Sequence, residues 1–112
     1  MDCLFCKFVS GEIPVAKVFE NEDMIIIKDI NPQAKNHFLA IPKVHFKLIE
    51  EMDEAQTAMV GRILKKISDL KDILELDNGY RLVINQGDDA GQTVFHLHIH
   101  ILSGQKMGWQ PA

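Results

Sequence analysis

The sequence predicts an α+β domain in which an antiparallel sheet of about five strands carries one long helix. Three observations predict it. Phe95-His96-Leu97-His98-Ile99-His100-Ile101-Leu102 alternates with a period of two, which in an extended strand sends successive side chains to opposite faces. Met59, Val60, Ile63, Leu64, Ile67, Leu70 and Leu74 recur instead at three and four residues, as one stripe of a helix does. The remaining apolar runs are short and bounded by Gly, Pro, Asn and Asp, as strands and their turns are.

Composition bounds the answer further. With 112 residues, 46% hydrophobic and 25% charged, the chain fits one core and one domain over residues 1–112. A net charge of −4 with no run of Lys and Arg argues against a large nucleic-acid footprint. Met24-Ile25-Ile26-Ile27 is far too short to span a bilayer, and Met1-Asp2-Cys3 does not open a signal peptide, so a cytoplasmic location with no membrane contact is expected. Two cysteines do not make a secreted disulfide scaffold, which puts a metal or redox role first.

In chain order, Cys3-Leu4-Phe5-Cys6 has the spacing that lets two thiolates reach one zinc ion, although a tetrahedral site needs two further ligands and the same spacing serves a redox pair. Residues 15–20 read as a first strand, Asn21-Glu22-Asp23 as a hairpin turn, and residues 24–28 as a second strand whose unbroken apolar run predicts burial on both faces or an inward bend at a dimer or ligand surface. Asp29 before Asn31-Pro32 is by composition a turn former. His37-Phe38-Leu39-Ala40-Ile41 reads as a third strand, closed by Pro42, which cannot donate to a ladder. A lone histidine at position 37 or 45 is more often a surface residue.

The helix starts at Asp53, whose partner Gln56 makes a capping box, and it carries Lys65, Lys66, Asp69 and Asp72 away from its apolar stripe. The Asn78-Gly79 step is expected to stop it in a left-handed conformation. Residues 80–85 read as a fourth strand. Gln86 to Gln92 form a polar loop in which backbone N–H groups near Gly91, with the Thr93 hydroxyl, can cradle an anion, although Asp88 and Asp89 are awkward neighbours for one.

Residues 95–102 are the fifth strand. There His96, His98 and His100 share one face, neighbours being about 6.6 to 6.8 Å apart, while Phe95, Leu97, Ile99 and Ile101 share the other. Three titratable rings on one face point to chemistry or metal binding rather than to a solvated surface. The pattern His-φ-His-φ-His-φ-φ, with φ apolar, from His96 to Leu102 resembles the signature of the histidine triad superfamily of nucleotide-binding hydrolases and transferases. Lys28-Asp29-Ile30-Asn31-Pro32, His37-Phe38-Leu39, Ile41-Pro42-Lys43, Asn85-Gln86-Gly87, Gly91-Gln92-Thr93-Val94 and Met107-Gly108-Trp109-Gln110-Pro111 resemble its small nucleoside phosphoramidase branch. The resemblance covers nearly the whole chain. It implies a short N-terminal helix beside the sheet and the long helix.

The resemblance also implies roles. His98 is the nucleophile that carries a covalent nucleotidyl intermediate, His100 a donor to the phosphate, and His37 an auxiliary on the phosphate side. Asp29 receives the ribose hydroxyls, Phe19, Ile27 and Ile30 wall the base, Asn85, Gly91, Gln92 and Thr93 attend the phosphate, and the Thr93 hydroxyl passes a proton to the departing amine. The family usually has Ser where this chain has Thr93, so the hydroxyl is kept and a methyl added. Cys3, Cys6, His45 and His96 make a structural zinc site, and no catalytic metal is required. The arm 103–112 crosses to a second subunit through Trp109, so the partner expected is a second copy of the chain in a homodimer.

A neutral imidazole is a useful nucleophile at phosphorus, because most of it is deprotonated at pH 7. The expected activity is hydrolysis of adenosine 5′-phosphoramidates to AMP and an amine. The rivals are a dinucleoside polyphosphate hydrolase of the same superfamily and a non-catalytic, zinc-stabilised module that binds AMP.

Overall fold

The structure, a computed structural model, describes residues 3–109. Strands β1 Phe19–Glu20, β2 Met24–Lys28, β3 Asn36–Pro42, β4 Tyr80–Val83 and β5 Ile99–Ser103 form one antiparallel sheet in the order β1-β2-β3-β5-β4. Helix α2 Glu54–Asp69, followed by α3 Lys71–Leu74, covers one face: Met59, Ile63, Ile67 and Leu74 bury against Met24, Ile26, Phe38, Ile99 and Ile101. The short helix α1 Leu4–Ser10 covers the other, where Phe5 joins Ile25, Ile27, Leu39 and Ile41. Two covered faces explain the run at 24–27, whose four side chains are at most 4% exposed.

Local chemistry sets the elements. Asp53 and Gln56 make the expected capping box, the Asp53 carboxylate accepting the Gln56 N–H at 2.8 Å. Cys3 caps α1, its sulfur accepting from the Cys6 N–H at 3.4 Å. Asn21 Oδ1 accepts from Asp23 and Met24 and so forms the expected turn of the β1-β2 hairpin. A two-pronged ion pair, Arg62 to Asp23 at 2.9 Å on both prongs, fastens that turn to α2 and holds the Asp23 carboxyl below its usual range.

Four boundaries differ from expectation. The first strand pairs over only two residues, because continuing it would set Lys17 directly opposite Lys28, although the Val18 N–H still reaches the Ile26 carbonyl at 2.7 Å. The fifth strand is paired only from Ile99, and the fourth only to Val83. Ladder growth beyond Ala40 opposite Ile99 runs into Pro42, and the Leu97 N–H bonds instead to the Phe46 carbonyl at 2.7 Å. Phe95, expected on the buried face, lies in a bend and is 51% exposed.

The helix also breaks at Leu70, whose amide is shared between the Lys66 and Ile67 carbonyls, and stops at Glu75 in a left-handed conformation (φ 59°) instead of at Asn78-Gly79. Stopping there lets Leu76 bury, and the Ser103 hydroxyl holds the Glu75 carbonyl. Among the described residues no helix is long and apolar enough to cross a membrane.

Candidate active site and metal centre

Residues 96–98 run out of β5 still alternating, so Leu97 enters the α2-side core while His96 and His98 face α1. His98 Nδ1 lies 2.7 Å from the carbonyl oxygen of His96. A carbonyl only accepts, so Nδ1 carries the proton and Nε2 keeps its lone pair. Burial holds the ring below the ordinary imidazole range, against the pull of that hydrogen bond and of Asp29. The rings of Phe5 and His98 stand nearly perpendicular, their centres 4.9 Å apart at 86°.

Beside it stands His100, its ring centre 5.1 Å from that of His98. Burial first, then His98 and His37, push it down to about 4. Its Nδ1 lies 2.9 Å from His37 Nε2, and Asn85 Nδ2 stands 3.5 Å from its Nε2. His37 is lowered by burial, which Asp29 opposes with Oδ2 at 3.3 Å. The other oxygen of Asp29 accepts the Asn31 N–H at 2.8 Å, so the turn suggested by composition is formed by a residue that also faces the site. The register explains the gathering: Leu39 is opposite His100 and His37 opposite Leu102, which sets the two imidazoles diagonally on one face.

The second group of side chains is made by Cys3, Cys6, His45 and His96, whose ligand atoms lie within 4.8 Å of one another. His96 Nε2 donates to the Pro42 carbonyl at 2.8 Å, so its Nδ1 is a bare lone pair. That lone pair sits 3.3 Å from Cys3 Sγ, 3.6 Å from Cys6 Sγ and 3.2 Å from His45 Nδ1, with Cys6 Sγ 3.3 Å from His45 Nδ1. Around a tetrahedral zinc ion, S–N and N–N edges are about 3.5 and 3.3 Å. The residues therefore fit a metal. Without one, burial and then Cys3 push the Cys6 thiol up to about 11, a state that a bound cation reverses.

The other expected residues are placed one by one. Phe19 is opposite Ile26, on the α2 face, with Lys66 Nζ 5.7 Å from its ring centre, so it cannot wall the same space as Ile27; this corrects the reading of three neighbouring walls. Ile30 is fully exposed beside Asp29. The Gly91 and Gln92 amides bond back to Asp88 and Gly87, so neither is free to cradle an anion. Gln92 is buried, its side chain joining Gly87 to the Lys47 carbonyl. Thr93 is exposed on a shallow cleft shared with Cys3, His45 and Lys47. Trp109 is 91% exposed; Gln110 and Pro111 lie outside the described residues. A larger cleft, about 700 Å³, opens between Lys35, Glu75, Asp77 and Lys106, but it holds no histidine, so size does not mark the site.

Sequence reading missed Phe5 and the apolar side of α1. The signal was Phe5, Phe8 and Val9, at helical spacing behind a capping cysteine.

Over residues 2–110 the chain matches the family described as scavenger mRNA decapping enzyme C-term binding. It is 41% identical over 101 residues to Protein HitA of Neisseria gonorrhoeae, covering 90% of this chain and 94% of that one. A HIT family hydrolase from Legionella pneumophila superposes with a TM-score of 0.92 at 40% identity, over 99% of this chain and 100% of that one. The chain belongs to the histidine triad superfamily. This histidine triad protein is similar too, with a TM-score of 0.81 and 32% identity, to a histidine triad nucleotide-binding protein from Candida albicans, covering 97% of this chain and 83% of that one.

Proposed function

We propose that this histidine triad protein hydrolyses adenosine 5′-phosphoramidates, releasing AMP and an amine through a nucleotidyl adduct on His98. The observation that carries this reading is the 2.7 Å bond from His98 Nδ1 to the His96 carbonyl, which leaves Nε2 with a neutral lone pair. In this reading Nε2 attacks the phosphorus, the P–N bond breaks, and the amine leaves with a proton passed from the Thr93 hydroxyl. His100 donates to the non-bridging oxygen on which charge grows, and Asn85 steadies the phosphate. Water then attacks the adduct, its proton returns to the Thr93 oxygen, the P–N bond to His98 breaks and AMP departs. Asp29 holds the ribose hydroxyls, and Ile27, Phe5 and Ile30 offer apolar contact to the base. The hydrolase from Legionella and the nucleotide-binding protein from Candida support the reaction type and the ligand class.

We also propose that the four-ligand group holds structural zinc, which when bound cross-links α1 to the 45 and 96 segments. The Arg81 guanidinium fixes the C-terminal arm through the Gly108 carbonyl at 2.6 Å, leaving Trp109 uncovered by the described residues, and a second copy of the chain is the proposed cover. Parallel assays on adenosine 5′-phosphoramidate and diadenosine polyphosphates test the substrate. We expect cleavage of the first with loss of turnover in His98→Ala; cleavage of the dinucleotides alone overturns the substrate assignment.

A further inference from the structure

We infer that the backbone N–H of Gln33 fixes the tautomer of His37 and, through it, makes the outward nitrogen of His100 a hydrogen-bond donor. This rests on His98 and His100 being the pair that meets the phosphate. Donor and acceptor parity carries the inference. The Gln33 amide lies 3.0 Å from His37 Nδ1, and an amide N–H only donates, so Nδ1 holds a lone pair. His37 then keeps its single proton on Nε2, and it cannot become an imidazolium without losing the amide. Nε2 lies 2.9 Å from His100 Nδ1 and 3.3 Å from Asp29 Oδ2. Two N–H groups cannot face each other at that distance, so His100 Nδ1 accepts and its proton sits on Nε2. Asn85 Nδ2, which only donates, stands 3.5 Å from that nitrogen, too long a contact to hold it as an acceptor against the 2.9 Å contact with His37, so the Nε2 proton is left for a ligand oxygen.

The consequence is a pair of neighbouring rings with opposite polarity. His98 is protonated at Nδ1 and offers a lone pair, whereas His100 is protonated at Nε2 and offers a donor. One suits phosphorus and the other its oxygen. In the reverse tautomer His100 would turn a second lone pair on a phosphate oxygen and repel it. Gln33 is thus a positioning residue acting through its main chain. Asp29 contributes by accepting the Asn31 N–H within the turn that delivers that amide. The same parity decides the nature of the Asp29, His37 and His100 group, whose polar atoms lie within 4.8 Å of one another as metal ligands would. One of the three candidate ligand atoms carries a proton, so the group is a hydrogen-bonded chain and not a second cation site.

Nitrogen-15 histidine spectra of the whole protein read the tautomers without substrate. We expect His37 and His100 as Nε2–H and His98 as Nδ1–H. Gln33→Pro deletes the donor and is expected to give His37 and His100 mixed tautomers, while Gln33→Ala, which retains the amide, keeps the Nε2–H spectra. If Gln33→Pro does not fold, the wild-type spectrum still decides: Nδ1–H or imidazolium at His37 overturns the inference. His37→Leu is expected to lower kcat by about tenfold or more with little change in KM, short of the 10²–10³ for removing a donor outright. His37→Gln, whose side-chain amide can donate to His100 Nδ1, is expected to recover most of the loss; equal losses overturn the relay. Zinc titration is expected to end at one ion per chain, and a second ion at Asp29 overturns it as well. A protein with the expected tautomers that cleaves no phosphoramidate keeps this inference and loses the proposed function; an active one with Nδ1–H at His37 does the reverse.

Discussion

At His98 and His100, burial does two things at once. It holds both rings neutral at physiological pH, and it removes competing water from the hydrogen bonds that orient them. Because both pKa values lie below the ordinary imidazole value of about 6.5, turnover should hold as pH falls to about 6.5 and decline only below it. We expect the acid limb of kcat/KM to have an apparent pKa under 6.5; a limb centred at or above 7 would show that the rings are not desolvated. Stability follows the same sign. The unfolded chain binds a proton at position 100 near pH 6.5 and the folded chain only near about 4, so that contribution to stability is intact above pH 6.5 and lost as pH falls through that window. Denaturant midpoints at pH 7 and pH 5 would show it.

Among the elements, α2 and the end of β5 make the sharpest predictions. Removing the Asp53 cap leaves amides of the first turn unpartnered, so Asp53→Ala should cost about 1 kcal/mol in a denaturant titration. Gly104 is the residue that turns the chain out of β5, with φ of +89° and the Asn36 side chain 2.6 Å from where a Cβ would stand. Gly104→Ala should therefore cost more than about 1 kcal/mol, left-handed strain adding to the clash; a neutral result would mean that the 36 and 104 segments move apart freely. These elements were legible because their signals are local: a capping box, a stripe, an alternation. Their ends were not, because a strand stops where its partner stops. Nothing in residues 95–98 announces that Pro42 will end the ladder beside them, and nothing in residues 15–18 announces that Lys17 would face Lys28.

For the whole molecule, the metal group joins what the sheet does not. It ties α1 to the 45–47 segment and to His96, the residue whose carbonyl sets the His98 tautomer. Chelating zinc from protein prepared without chelator should therefore lower Tm by more than about 5 °C, and an unchanged melting curve would remove the metal from this account. The alternation at 96–100 and the Cys3-x-x-Cys6 spacing made both groups legible in the sequence, since each is carried by side-chain identity. Phe5 was passed over because only folding brings its ring to His98, and Phe19 was misplaced because two strands of unknown register do not say which face a ring occupies. The Gln33 amide and the Pro42 carbonyl leave no mark on a sequence at all, because every residue carries a backbone.

The most direct test of the nucleophile is the adduct itself. Acid-quenched intact-mass measurement within the first turnover on adenosine 5′-phosphoramidate should reveal protein heavier by one adenylyl group, mapped to His98 and lost in His98→Ala. Full turnover with no adduct at any quench time, or an adduct mapped to another residue, would contradict the account.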